Sequence, residues 1–80
     1  SIHHATGRVA IAVGGTDQVA IGNVNSVAFR FVDVGRFPVS VAWSPDGNEL
    51  YVANQFDDTY TVVEVQNRKV LRHVSLGKMS

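Results

Sequence analysis

Apolar and polar positions along this chain change over in short runs, and no long helical period runs through them. "RVAIAV", "DQVAIGN", "AFRFVDV", "PVSVAW", "ELYVAN" and "TYTVVEV" are rich in Val, Ile and aromatic residues, and Gly, Pro, Asn or Asp interrupts them every few positions. That pattern predicts β-strands joined by tight turns. The strands expected are 1–4, 8–13, 18–22 and 27–34, then 39–43, 49–54, 59–65 and 69–76. In 49–54, Leu50 and Val52 share one side while Tyr51 and Ala53 share the other, so both faces are apolar and the sheet is expected to be covered on both sides. In the last strand Val70, Arg72 and Val74 are expected on one side and Leu71, His73 and Ser75 on the other, a mixed polarity suited to an outer edge.

The two halves echo each other. Gly7 falls on Gly47 at an offset of 40 and Val9-Ala10-Ile11-Ala12 on Leu50-Tyr51-Val52-Ala53 at 41. Val19-Ala20-Ile21 then falls on Thr61-Val62-Val63 at 42, with both length changes placed in turns. The expectation is an all-β protein of two four-stranded antiparallel units, 1–35 and 36–80, the first degenerate and cut inside its opening strand. A four-stranded unit of this length in tandem is the signature of a β-propeller blade.

The motifs of the second unit make this more specific. Gly35 to Pro38 forms a Gly-x-x-Pro approach, followed by the turn Ser44-Pro45-Asp46-Gly47, Tyr51-Val52-Ala53-Asn54, a Thr-Val-x-Val-like third strand and a closing Leu76-Gly77. Residues 35 to 77 closely resemble the YVTN-type β-propeller repeat. Trp-Asp-repeat propellers match poorly, because no Trp-Asp dipeptide closes a third strand. The resemblance implies a bacterial or archaeal extracytoplasmic protein, periplasmic or at the cell surface, in a family that includes propellers fused to di-haem cytochrome c domains. Two blades cannot close a ring, so the partners expected are further blades, from the same chain or from other copies.

Charge narrows the partners further. Seven Lys and Arg balance seven Asp and Glu, so bulk charge recruits neither nucleic acid nor anionic lipid. No apolar run is long enough to span a bilayer, and no membrane insertion is expected. Any targeting signal is expected outside this stretch. Cysteine is absent, and with it Cys-x-x-Cys-His, so no cofactor is expected in this chain.

Candidate chemistry is sparse. His3 and His4 are adjacent in a strand and point to opposite faces, which argues against one shared metal ion. "GGTD" at 14–17 lacks the Lys and Ser/Thr ending of a phosphate loop and reads as a glycine turn. Asn54, Asp57 and Asp58 could offer oxygen ligands to calcium, but without the spacing of a calcium loop; hydrogen bonds shaping the turn are the expectation. Ser44 has no base placed for it. Trp43, in line with Val39 and Val41, is expected to pack against a neighbouring blade.

In propellers the loops entering the first strand share a rim with those between the second and third. The expected binding face is therefore Arg36, Phe37, Asn54, Asp57, Asp58 and Asp17, with Gln55, Gly15 and Thr16 nearby and Thr6, Asn25, Asp46 and Asn67 on the opposite rim. A protein or small-molecule ligand held there would make the chain a binding or scaffold module without catalysis of its own. The alternative is the propeller part of a redox enzyme, with c-type haem supplied by another domain or partner.

Overall fold

The computed structural model describes residues 1–25, 28–56 and 58–75. Among these described residues it is all-β apart from a single 3-10 turn at Gly14–Thr16. The strands are β1 (Ile2–His3), β2 (Arg8–Val13), β3 (Gln18–Asn23), β4 (Arg30–Asp33), β5 (Pro38–Trp43), β6 (Glu49–Asn54), β7 (Thr59–Glu64) and β8 (Lys69–Ser75). They form two separate four-stranded sheets in chain order, β1-β2-β3-β4 and β5-β6-β7-β8, with every pairing antiparallel. Such meanders need only tight turns, which the Gly, Asn and Asp residues supply. The opening strand is shorter than expected, because the chain turns away at His3, whose carbonyl accepts from the N–H groups of Thr6 and Gly7.

The Ser44–Gly47 segment is the β-turn that its residues predict. Gly47 N–H donates to the Ser44 carbonyl at 2.9 Å, and Gly47 has φ 75°, where a glycine costs least. The Asp46 carboxylate accepts from the Ser44 hydroxyl at 2.7 Å and from Asn48 N–H at 2.9 Å, while Ser44 Oγ accepts from Glu49 N–H at 3.0 Å. The Ser44 hydroxyl, followed by the Asn48 amide, holds the Asp46 carboxyl below its ordinary pKa, since both donors favour the charged form.

Strand register corrects the alignment of the two halves. Val13 pairs with Gln18 and Asn54 with Thr59, and Ala10 pairs with Ile21 where Tyr51 pairs with Val62, so the spacing is 41 through the third strand. Ile21 therefore corresponds to Val62, not to Val63. The second added residue enters only with the fourth strand, where Val32 opposite Val19 corresponds to Val74 opposite Tyr60. It shows as a bulge: Val63 pairs with Val70 and Val62 with Arg72, leaving Leu71 unpaired. The bulge also overturns the alternation expected in this strand, because Val70 now shares a side with His73, and Arg72 with Val74. A second irregularity lies between Pro38 and Ser40, which pair with Asn54 and Ala53. It pushes Val39 out to 50% exposure and removes it from the line of Val41 and Trp43.

The core lies between the sheets. Ala10, Val19, Ile21 and Val32 of the first meet Leu50, Val52, Val63 and Val65 of the second, with Val41, Trp43 and Val70 packed at the border. Trp43 thus packs against the neighbouring sheet, and its indole N–H donates to the Ser1 carbonyl at 3.4 Å. His3 Nε2–H donates to the Pro45 carbonyl at 2.8 Å, tying the same two ends together.

The correspondence at 41 shows how the sheets stack. Ala10 and Ile21, on the shared face of the first sheet, correspond to Tyr51 and Val62 on the open face of the second. Leu50 and Val52, on the shared face of the second, correspond to Val9 and Ile11 on the open face of the first. Unlike faces meet, so the contact is head-to-tail, and among the described residues each sheet covers one side of the other. What remains uncovered includes Ile2, Ile11 and Phe31 on the first sheet, at 46, 50 and 58% exposure.

Candidate functional site

The rim of interest is built by three loops, 14–17, 34–37 and 54–58. Each follows a strand and reverses the chain, and three of their residues take a left-handed backbone: Asp17, Phe37 and Asp58 with φ 57°, 56° and 50°. Asp is among the residues that tolerate this region, whereas Phe is not, so Phe37 is held there by its surroundings. Those contacts are specific. Phe37 N–H donates to Asp17 Oδ1 at 2.9 Å, Gln55 N–H to the Phe37 carbonyl at 3.0 Å, and Phe56 N–H to the Arg36 carbonyl at 3.2 Å. Val34 N–H donates to the Asp17 carbonyl at 3.0 Å. Backbone and carboxylate thereby lock the loop between the sheets to one loop of each sheet.

The side chains this exposes are chiefly aromatic. The Phe37 and Phe56 rings stack at 4.7 Å between centroids and 14° between planes, and both remain open to solvent, Phe56 at 66%. The Phe37 ring also lies over Gly14, where an added Cβ would come within 3.0 Å of it. Arg36, Gln55 and Asp58 are exposed around the pair. Beside it a cleft of about 330 Å³ is lined by Val39, Ala53, Asn54, Gln55, Asp58 and Thr59.

Of the residues expected at this rim, Arg36, Phe37, Asp17 and Asp58 are brought together as exposed groups, and Asp57 lies outside the described residues. Asn54 is different. It is 2% exposed, with its side chain turned into the sheet, where Nδ2 donates to Thr61 Oγ1 at 2.9 Å and to Thr59 Oγ1 at 3.2 Å. Thr61 Oγ1 is in turn hydrogen-bonded to His73 Nδ1 at 2.9 Å. Asn54 Oδ1 is buried without a partner among the described residues. Of Asn54, Asp57 and Asp58, the residues expected to shape this turn by side-chain hydrogen bonds, Asn54 does so through the two threonines, and Asp57 lies outside the described residues.

Gly35 makes that burial possible. A Cβ there would fall 2.6 Å from Asn54 Nδ2 and 2.7 Å from its Cγ, closer than atoms can approach. Gly35→Ala is expected to push the amide out of its site and destabilise the second sheet by about 1–3 kcal/mol, the usual cost of overpacking. Denaturant titration measures this; an unchanged midpoint would mean that the Asn54 side chain moves freely.

Phe56 is the residue that completes the rim, and Thr59 and Val39 complete the cleft. The exposure of Val39 follows from the bulge. No group of three or more His, Asp and Glu among the described residues is arranged to hold a metal ion. His3 and His4 are not adjacent strand residues as expected: the strand ends at His3, which turns toward Pro45, and His4 lies exposed in the turn that follows. No helix among the described residues is long and apolar enough to cross a membrane. A scan against protein-family models finds no match for the chain, and neither does a search of curated proteins.

Proposed function

We propose that the chain is a pair of consecutive β-propeller blades of an extracytoplasmic binding module, which engages its partner through the rim around Phe37 and Phe56. The observation that carries this reading is the stacked aromatic pair, held exposed by a backbone conformation that costs free energy. A solvent-facing phenylalanine pair fixed by three loops contributes little to the core but offers a rigid apolar anchor, the kind of group that dominates interface energetics. Arg36 and Asp58 supply charge of both signs at the rim, and the 330 Å³ cleft supplies depth. The blade assignment is supported by the four-stranded meanders, the head-to-tail contact and the YVTN-like motifs at 35–77. Further blades, from the same chain or from other copies, would cover the two open faces.

Affinity capture from the extracytoplasmic fraction of the source organism tests the rim, with Phe56→Ala, Arg36→Ala and the opposite-rim control Asn67→Ala. Both rim changes are expected to alter stability by no more than about 0.5 kcal/mol, the range for surface substitutions, and to abolish retention of a partner that the control retains. A partner held equally by all three variants would exclude this rim as the binding face.

A further inference from the structure

The opposite rim carries a second feature, toward which neither the repeat motifs nor the bulk charge points. Beside Ile21 and Val65, at the edge of the shared core, a cleft of about 280 Å³ opens, and its walls include Arg8, Arg30 and Arg68. Register explains the convergence. Arg8 follows the face of Ala10, and Arg30 pairs with Ile21 on the same side, so both point toward the second sheet. Arg68 comes from the turn between β7 and β8, whose Arg68 N–H donates to the Val65 carbonyl at 3.2 Å. Three of the seven basic residues of an electrically neutral chain thus meet at one cleft, and no carboxylate lines it among the described residues.

The three guanidinium groups are differently held. Arg8 Nη1 donates to the Gly47 carbonyl at 2.6 Å and to Asn48 Oδ1 at 3.4 Å, so its position is fixed by neutral acceptors that leave the charge uncompensated. The guanidinium groups of Arg30 and Arg68 have no hydrogen-bond or ion-pair partner among the described residues, and both residues are exposed. Arg68 also sits at φ 53°, a left-handed backbone that a residue with a Cβ rarely adopts. Like charges drawn together at a low-dielectric wall repel one another, and an anion between them removes that cost. Guanidinium groups present planar pairs of donors that match oxyanions, and they keep their charge at any physiological pH.

We propose that this cleft binds a small polyanion whose charge lies on oxyanion groups, a di- or polyphosphate or a polycarboxylate, with Arg8, Arg30 and Arg68 as the ligating residues. Ile21 and Val65 form an apolar floor that excludes water from behind the anion, and Gln66 adds an amide at the mouth. The volume admits a compact ligand and is too small for a nucleoside polyphosphate to be enclosed whole. This site lies apart from the Phe37–Phe56 rim, so one can fail without the other.

Calorimetric titration of the whole chain with pyrophosphate and, separately, with citrate at low ionic strength tests the proposal. Saturable binding of at least one is expected, weakened by added salt. Arg30→Gln and Arg68→Gln should each lower the affinity about tenfold or more, since each removes charge-assisted hydrogen bonds. Arg72→Gln, on the open side of the second sheet, should change it less than twofold. Amide shifts of the unaltered chain provide a measure independent of any variant's folding, with the largest changes expected at Arg8, Gln66 and Arg68. Pyrophosphate bound in preference to citrate would assign a phosphate ligand, and the reverse a polycarboxylate. Absence of saturable binding at millimolar anion would overturn the proposal. So would shifts confined to other parts of the chain, or an Arg30→Gln/Arg68→Gln double variant that binds as tightly as the parent.

Discussion

Leu50→Ala is expected to destabilise the protein by about 2–5 kcal/mol, the range for truncating a fully buried leucine. Leu50 is 0% exposed and lies on the face that meets the first sheet, beside Val52 and Val63. The void would open at the junction of the two sheets, where a rigid pleat leaves little room to collapse. A chain of this size has roughly 4–12 kcal/mol of stability at most, so the substitution removes a large share of it. Leu71→Ala is the control, since Leu71 stands out at the bulge of β8 and is 41% exposed; it should cost less than about 1 kcal/mol. Urea denaturation of the two variants compares them directly. Equal losses would mean that β8 runs without its bulge and that Leu71, not Val70, lies opposite Val63 and faces the partner sheet.

These two leucines also show where a sequence reading stops. That Leu50 and Val52 share a face follows from period-two alternation, and the β-branched runs bounded by Gly, Asn and Asp make every strand legible. The Ser44–Gly47 turn is legible for the same local reason, as each of its residues has one clear conformational role. A bulge has no such signature. Val70 and Val74 are both apolar, so an unbroken strand and one that slips at Leu71 bury the same kind of residue, and only pairing with β7 decides. Val39 is hidden in the same way beside Pro38, a residue unable to donate to the ladder. At the rim, the gathering of Arg36, Phe37, Asp17 and Asp58 follows from loop order in a four-stranded unit. The inward turn of Asn54 does not, because it depends on Gly35 leaving space and on Thr59 and Thr61 offering oxygens two strand positions apart. The arginine cleft was least legible. Arg8, Arg30 and Arg68 are far apart in sequence, and a neutral total charge conceals them until the two sheets are stacked.

The chain by itself is expected to associate head-to-tail, and Ile11→Glu with Phe31→Glu is expected to abolish that association. In the contact already present, the face of Ala10 and Ile21 lies on the face of Leu50 and Val52. The free face of the first sheet corresponds to the face of Leu50 and Val52, and the free face of the second corresponds to the face of Ala10 and Ile21. Each copy therefore carries both halves of the same interface, and a contact between unlike faces repeats until it closes into a ring or runs on as a filament. Ile11, Ala20 and Phe31 lie side by side across β2, β3 and β4, so the two substitutions strike the centre of the open face. Burying those two half-exposed side chains is worth roughly 2–4 kcal/mol, and desolvating unpaired carboxylates in their place costs more. The association constant should fall by a factor of at least ~100, which sedimentation velocity resolves as a shift from oligomer to monomer. Neither residue lies in the shared core, so the variant should keep its strand content by circular dichroism. A parent chain that sediments as a folded monomer would show that the open faces need blades supplied by a longer protein. If the double variant stayed as large as the parent, the association would run through another surface, and head-to-tail stacking would not be its basis.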